Sequence, residues 1–214
     1  MTALDMAKIT FNLVVIYLIG GLIMAFVYAK TSPIMFIKAK EEKEAALKVM
    51  MPQADKIVKL GDWEPHEKHA EYYAAEKCGE MKTTQVKDEK TGEMKEKSEC
   101  LDPQNIGYIA ETYGKGYSSY IDILVSVDRN FVVEKVNILH HAETPGLGDE
   151  IQKAYFLNQF AGKSENNLVV VKGETKDKIQ AITGATISSR AVTEDGVRNG
   201  VKMLEEKLSG EVKG

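Results

Sequence analysis

Residues 120–139 read YIDILVSVDRNFVVEKVNIL, and this stretch decides the fold class. Over 120–127, Ile121, Ile123, Val125 and Val127 alternate with Asp122, Leu124, Ser126 and Asp128, the period of two expected of a half-buried strand. Asp128, Arg129 and Asn130 form a turn. Over 131–139, Phe131, Val133, Lys135, Asn137 and Leu139 alternate with Val132, Glu134, Val136, Ile138 and His140. Two antiparallel strands joined by a tight turn follow. Shorter apolar runs at 106–110 and 168–172 read as further strands, and 150–160 reads as helical. Val197, Val201, Leu204 and Leu208, spaced i, i+4, i+7 and i+11, mark a final amphipathic helix. Grouped strands followed by a packed helix predict an α+β domain rather than a doubly wound one.

The chain has 214 residues, 43% hydrophobic and 28% charged, enough for one membrane segment and one globular domain. A net charge of −4 offers no basic face for nucleic acid. Two cysteines can form one bridge at most and cannot make a four-ligand zinc site.

Residues 9–29 carry no charged side chain, matching the roughly 20 residues a helix needs to cross a bilayer. The run exceeds the about 7 to 15 apolar residues of a secretory signal, and no small-residue cleavage site follows. A single transmembrane helix at about 9–29 within segment 1–30 is therefore expected. Lys8 at one end, against Lys30, Lys38 and Lys40 at the other, would by charge count leave the domain cytoplasmic, but such counts have little force over a large translocated domain.

Ser32 and Pro33 predict a break, followed by a Lys/Glu/Ala-rich helix over 37–51 that Pro52 ends. Residues 31–105 thus read as a helical membrane-proximal region, with 106–214 as the core. Within it, 63–75 fits helix or loop. His66 and His69, at i and i+3, could share a helix face, yet no third and fourth ligand is set by spacing, so no metal site is expected. The charged insertion 78–100 reads as an exposed hairpin or loop turning at Lys90, Thr91, Gly92 and Glu93. Cys78 and Cys100 would bridge it in an oxidising compartment and stay free thiols in a reducing one.

Two tracts carry the candidate chemistry. Thr183, Gly184, Ala185, Thr186, Ile187, Ser188 and Ser189 crowd hydroxyls and open backbone a few residues ahead of the final helix, where unpaired N–H groups attract anions. Ser/Thr clusters there also serve as ordinary caps, the role read for Ser188 and Ser189. Glu143, Thr144, Pro145, Gly146, Leu147 and Gly148 interrupt all periodicity. Locally, a Pro-Gly turn and a flat ligand surface fit this tract equally well.

Lys115-Gly116-Tyr117, then His141-Ala142 with the 143–148 tract, then Thr183-Gly184-Ala185-Thr186 resemble in this order the FMN-binding domain of the G subunit of Rnf electron-transport complexes. The related C subunit of the Na+-translocating NADH:quinone reductase is the neighbouring alternative, and a flavin-free assembly tether is another. The resemblance implies FMN joined to Thr186 by a phosphoester bond. Thr183, Gly184, Ala185, Ser188, Ser189, residues 143–148 and Tyr117 would lie around it. It further implies electron transfer with no catalytic acid or base, Glu143 serving by hydrogen bonding. The implied partners are other membrane subunits and a flavin transferase. The implied location is the cytoplasmic (inner) membrane, with the FMN domain on the extracytoplasmic side, where Cys78 and Cys100 would be bridged. The family usually has Asp three residues before the first Ser/Thr of the motif, and Gln180 stands there in this chain.

Overall fold

The structure is a computed structural model that describes residues 3–79, 81–87 and 94–209. It divides into two compact units, residues 1–45 and 46–214. In the first, helix α1 (Ala3–Met50) begins. Its side chains from Leu4 to Ile37 include many large apolar groups left exposed, as a surface meant for lipid requires. At 1.5 Å per residue, 9–29 covers about 31 Å, the thickness of a hydrocarbon core. The break expected at Ser32-Pro33 is absent, and Pro33 lies inside α1. A proline removes one backbone bond, the one that would reach the Ala29 carbonyl, and not the whole ladder, so the helix runs on through it.

The second unit is built on a five-stranded antiparallel sheet in the order β1 (Lys56–Trp63), β2 (Ala70–Cys78), β5 (Pro103–Lys115), β6 (Tyr120–Asp128) and β7 (Val133–His140). β3 (Met81–Lys87) and β4 (Met94–Cys100) form a separate antiparallel hairpin with Met81 opposite Cys100. The turn expected at 90–93 lies outside the described residues. A disulfide joins Cys78 to Cys100 at the hairpin base, with a Cα–Cα distance of 5.7 Å.

Two expectations need correction. The region 31–105 is not helical throughout: β1 and β2 extend the same sheet as β5–β7. The composition of β2, Ala-Glu-Tyr-Tyr-Ala-Ala-Glu-Lys-Cys, favours helix by propensity, but pairing on both edges and burial of Ala70, Tyr73, Ala74 and Ala75 override it. Second, β6 is buried on both faces rather than half-buried. Ile121, Ile123, Val125 and Val127 pack beneath the helical layer with Val192, Val197, Val201 and Leu204. On the other face Leu124 packs with Leu47, Met50, Met51 and Ile109, and Ser126 Oγ donates to the Met50 carbonyl at 3.4 Å.

Phe131 does not begin β7 but completes the turn at φ 59°, held by Asp128 Oδ1 accepting from Asn130 and Val132 N–H at 2.8 Å each. The crossover from β7 contains α2 (Ala154–Leu157) and the parallel pair β8 (Val170–Val171) and β9 (Ile179–Gln180). It leads to α3 (Thr186–Arg190), a π-helical segment (Ala191–Val197) and α4 (Arg198–Leu208), all in right-handed helical backbone. The predicted stripe Val197, Val201, Leu204 and Leu208 is buried along it.

Candidate flavin site

Two tight turns face each other at one end of the helical layer. In the first, Leu147 N–H donates to the Thr144 carbonyl at 3.2 Å, Pro145 holds position i+1, and Gly146 adopts φ 75°. Proline cannot take positive φ, so the turn is type II. In the second, Ala185 N–H donates to the Ile182 carbonyl at 3.0 Å around Thr183 and Gly184, with Gly184 at φ 81°. A Cβ added at Gly184 would lie 3.3 Å from Leu147 Cδ2, so the two turns are in near contact.

The helix begins at Thr186 itself rather than a few residues later. The first intrahelical bond runs from Ser189 N–H to the Ala185 carbonyl at 2.9 Å, and the N–H groups of Thr186, Ile187 and Ser188 head the helix. Ser188 and Ser189 are therefore not caps: both are buried in the first turn, and the N-cap position, Ala185, has no side-chain cap. Ser189 Oγ instead accepts from Ile182 N–H at 3.0 Å and donates to the Ala185 carbonyl at 2.9 Å, bracing the second turn from within.

Between the turns opens a cleft of about 500 Å³ lined by Tyr117, Glu143, Thr144, Leu147, Gly148, Gly184, Ala185, Thr186, Ile187 and Ser188. Of the residues expected at the site, Pro145, Gly146 and Ser189 do not line it, and Thr183 faces a neighbouring cavity with Tyr155, Gln159 and Gln180. Ile187 was not anticipated. It is 55% exposed, and the sequence carries only the apolar residue directly after Thr186 as a trace of it.

Glu143 lies at the base of the cleft, 4% exposed. Its Oε2 accepts from Tyr117 N–H at 3.1 Å, its Oε1 from Ser118 N–H at 2.9 Å, and Ser188 Oγ donates to Oε2. Burial pushes its titration up, but the Ser188 hydroxyl and the N–H groups of Ser118, Tyr117 and Ser119 outweigh it, holding the carboxyl below its ordinary 4.5. It is an anion at neutral pH.

His66 and His69 do not share a helix face. His66 Nε2 lies 2.9 Å from Asp195 Oδ1, and His69 Nε2 lies 3.5 Å from Asp62 Oδ1. Asp62, His69 and Glu71 approach metal-site spacing, but Lys59 Nζ already stands 2.7 Å from Asp62 and 2.5 Å from Glu71.

The FMN-binding domain family matches residues 116–202, the segment that contains both turns and the helix. The G subunit of the proton-translocating ferredoxin:NAD+ oxidoreductase complex of Clostridium ljungdahlii is 34% identical over 94% of this chain and 93% of that protein. The chain belongs to the family of Rnf G subunits. The G subunit of the Na+-translocating complex of Acetobacterium woodii is 39% identical over 47% of this chain and 50% of its own. Among solved structures, the C subunit of the Na+-translocating NADH-quinone reductase from Parabacteroides distasonis matches 65% of this chain and 63% of that one, at 24% identity and a TM-score of 0.44. The match to the FMN-binding domain begins at Gly116 and so includes the loop of this Rnf-family chain that donates to Glu143.

Proposed function

We propose that this protein is the membrane-anchored flavin subunit of an Rnf-type ferredoxin:NAD+ oxidoreductase, carrying FMN as a phosphoester on Thr186 Oγ1 and relaying electrons between neighbouring subunits. The observation that carries this reading is the position of Thr186, the first helical residue, on the wall of the cleft between the two turns. The residues present fit FMN. The cleft volume falls within the roughly 300–1,000 Å³ of small-molecule sites. Leu147 and Ile187 offer exposed apolar surface, and the N–H groups heading the helix suit a phosphate.

Bound FMN supplies one- and two-electron chemistry that no side chain here can perform. Thr186 would fix its phosphate end, Leu147, Ile187 and Tyr117 would flank the ring, and Gly184 leaves room beside the attachment point. No side chain need donate or remove a proton from a substrate bond. Thr186 would supply the hydroxyl oxygen that a flavin transferase joins to the flavin phosphate, giving up its proton as the donor's nucleotide is displaced. The Cys78–Cys100 disulfide supports an extracytoplasmic domain, since such bridges persist in oxidising compartments. The α1 span and the family support assembly with other membrane subunits.

The test is intact mass and in-gel flavin fluorescence of the denatured protein made alongside a flavin transferase. Wild type gains one FMN and Thr186→Val gains none, whereas Thr183→Val still loads. Flavin retained on Thr186→Val, or absent from wild type, refutes the assignment.

A further inference from the structure

The three tracts that line the cleft are far apart in sequence, and one carboxylate joins them. Glu143 belongs to the 143–148 loop, receives backbone N–H groups from the β5–β6 turn, and receives the hydroxyl of Ser188 from α3. Three donors from two other segments meet its two oxygens.

Two glycines are shaped around the same group. A Cβ at Gly116 would lie 2.5 Å from Glu143 Oε1, and one at Gly148 would lie 2.8 Å from Oε2 and 2.9 Å from Ser188 Oγ. Both positions suggest a flavin approaching bare backbone. In the structure they instead admit the carboxylate.

We infer that Glu143 is a positioning residue: hydrogen-bonded to both, it ties the β5–β6 turn and the first turn of α3 to the 143–148 loop and so sets the cleft at Thr186. The inference rests on the reading of Thr186 as the flavin carrier for its functional meaning, but not for its geometry. Charge matters as well as shape. In Glu143→Gln an amide NH2 replaces one acceptor and confronts inward-pointing donors, and the repulsion leaves at least one of them buried and unpaired. Titratable and charged residues flanking these segments include His141, whose Nδ1 accepts from Glu143 N–H at 3.2 Å, Lys115, Asp149, Glu150 and Arg190; none is among the groups that move the Glu143 titration.

The test uses the full-length chain in detergent, in the flavin-free Thr186→Val background, so that it stands even if Thr186 does not carry flavin. Hydrogen exchange by mass spectrometry is read over 116–119, 143–148 and 186–190, normalised to the β5–β6 strands. Glu143→Gln is expected to speed exchange in 116–119 and 186–190 at least ten-fold at pH 7 while the strands stay protected. Ser188→Ala, which removes one donor and keeps the carboxylate, is expected to loosen 186–190 and leave 116–119 protected. The difference between Glu143→Gln and its Glu143 parent should shrink as pH falls below the ordinary carboxyl value, because a protonated carboxyl also presents a donor. In chains with Thr186 intact, Glu143→Gln should reduce flavin loading several-fold. Unchanged exchange in 116–119 overturns the inference. So does a difference that is insensitive to pH, or loosening of the whole sheet by Glu143→Gln together with no effect of Ser188→Ala.

Discussion

Replacing Gly148 by alanine isolates the packing at the base of the cleft. The added methyl would stand 2.8 Å from both Glu143 Cβ and Glu143 Oε2 and 2.9 Å from Ser188 Oγ, closer than carbon atoms normally approach. Gly148 is buried and the carboxylate is held by donors on two other segments, so no neighbour can swing into solvent. Overpacking of this kind costs about 1–3 kcal/mol. For a domain of this size about 1 kcal/mol moves the melting temperature by roughly 2–4 °C, so a fall of about 2–12 °C is expected. Two controls separate the causes. Gly146→Ala has open space around its Cβ but φ 75°, so it should lose about 1–2 kcal/mol from backbone strain alone. Gly173→Ala has neither restriction and should be near neutral. Unfolding of the full chain in detergent can be followed by Trp63, whose indole N–H donates to the Glu111 carbonyl at 2.8 Å. A Gly148→Ala protein as stable as Gly173→Ala would refute the close packing of Gly148, Glu143 and Ser188.

Two other outcomes are expected. Thiol labelling of the denatured, unreduced protein should find no free cysteine and, after reduction, two. Opening this bridge, with a sequence separation of 22, should lower stability by about 3 kcal/mol, measured as the drop in urea midpoint on adding reductant. The second outcome concerns acid. Glu143 titrates lower folded than unfolded, so its stabilisation is complete above 4.5 and is lost as pH falls through the folded value. The urea midpoint of wild type should therefore fall more steeply than that of Glu143→Gln on acidification below that point, and parallel curves would contradict the sign.

The elements readable in the sequence are those whose burial is periodic. The β6–β7 alternation, the uncharged 9–29 run and the i, i+4, i+7, i+11 stripe of α4 each report a local environment that repeats along the chain. β2 was not readable, because its Ala and Glu become strand residues only through pairing, with β1 on one edge and on the other with β5, 36 residues away by the Tyr73 to Ile109 register. Pro33 is a local breaker whose effect the continuous helix on both sides overrides. At the site, Ser188 and Ser189 have cap chemistry, and only the three-dimensional structure shows that their partners are Glu143, 45 residues upstream, and the turn at 182–185. The sequence marks the two tracts and names Glu143 as a hydrogen-bonding residue within one of them. Which segments its carboxylate joins was not legible, since hydrogen bonds from residues 25 and 26 positions away have no period to detect.

The same geometry separates two threonines that sequence chemistry treats alike. Thr183 occupies the i+1 corner of its turn and Gly184 the left-handed corner, so the chain reverses between Thr183 and Thr186. The reversal directs Thr183 to the cavity beside Tyr155 and Gln159 and leaves Thr186 on the wall shared with Leu147 and Tyr117. A side chain at position 184 would need a conformation that costs an L-residue about 1–2 kcal/mol and would press on Leu147. The glycine thus does two things at once: it permits the turn that distinguishes the threonines, and it keeps the two turns close enough to form one cleft. If Thr186 carries the flavin, Gly184→Ala should reduce loading even though neither hydroxyl has been touched, and full loading of that variant would show that the turn is not what presents Thr186.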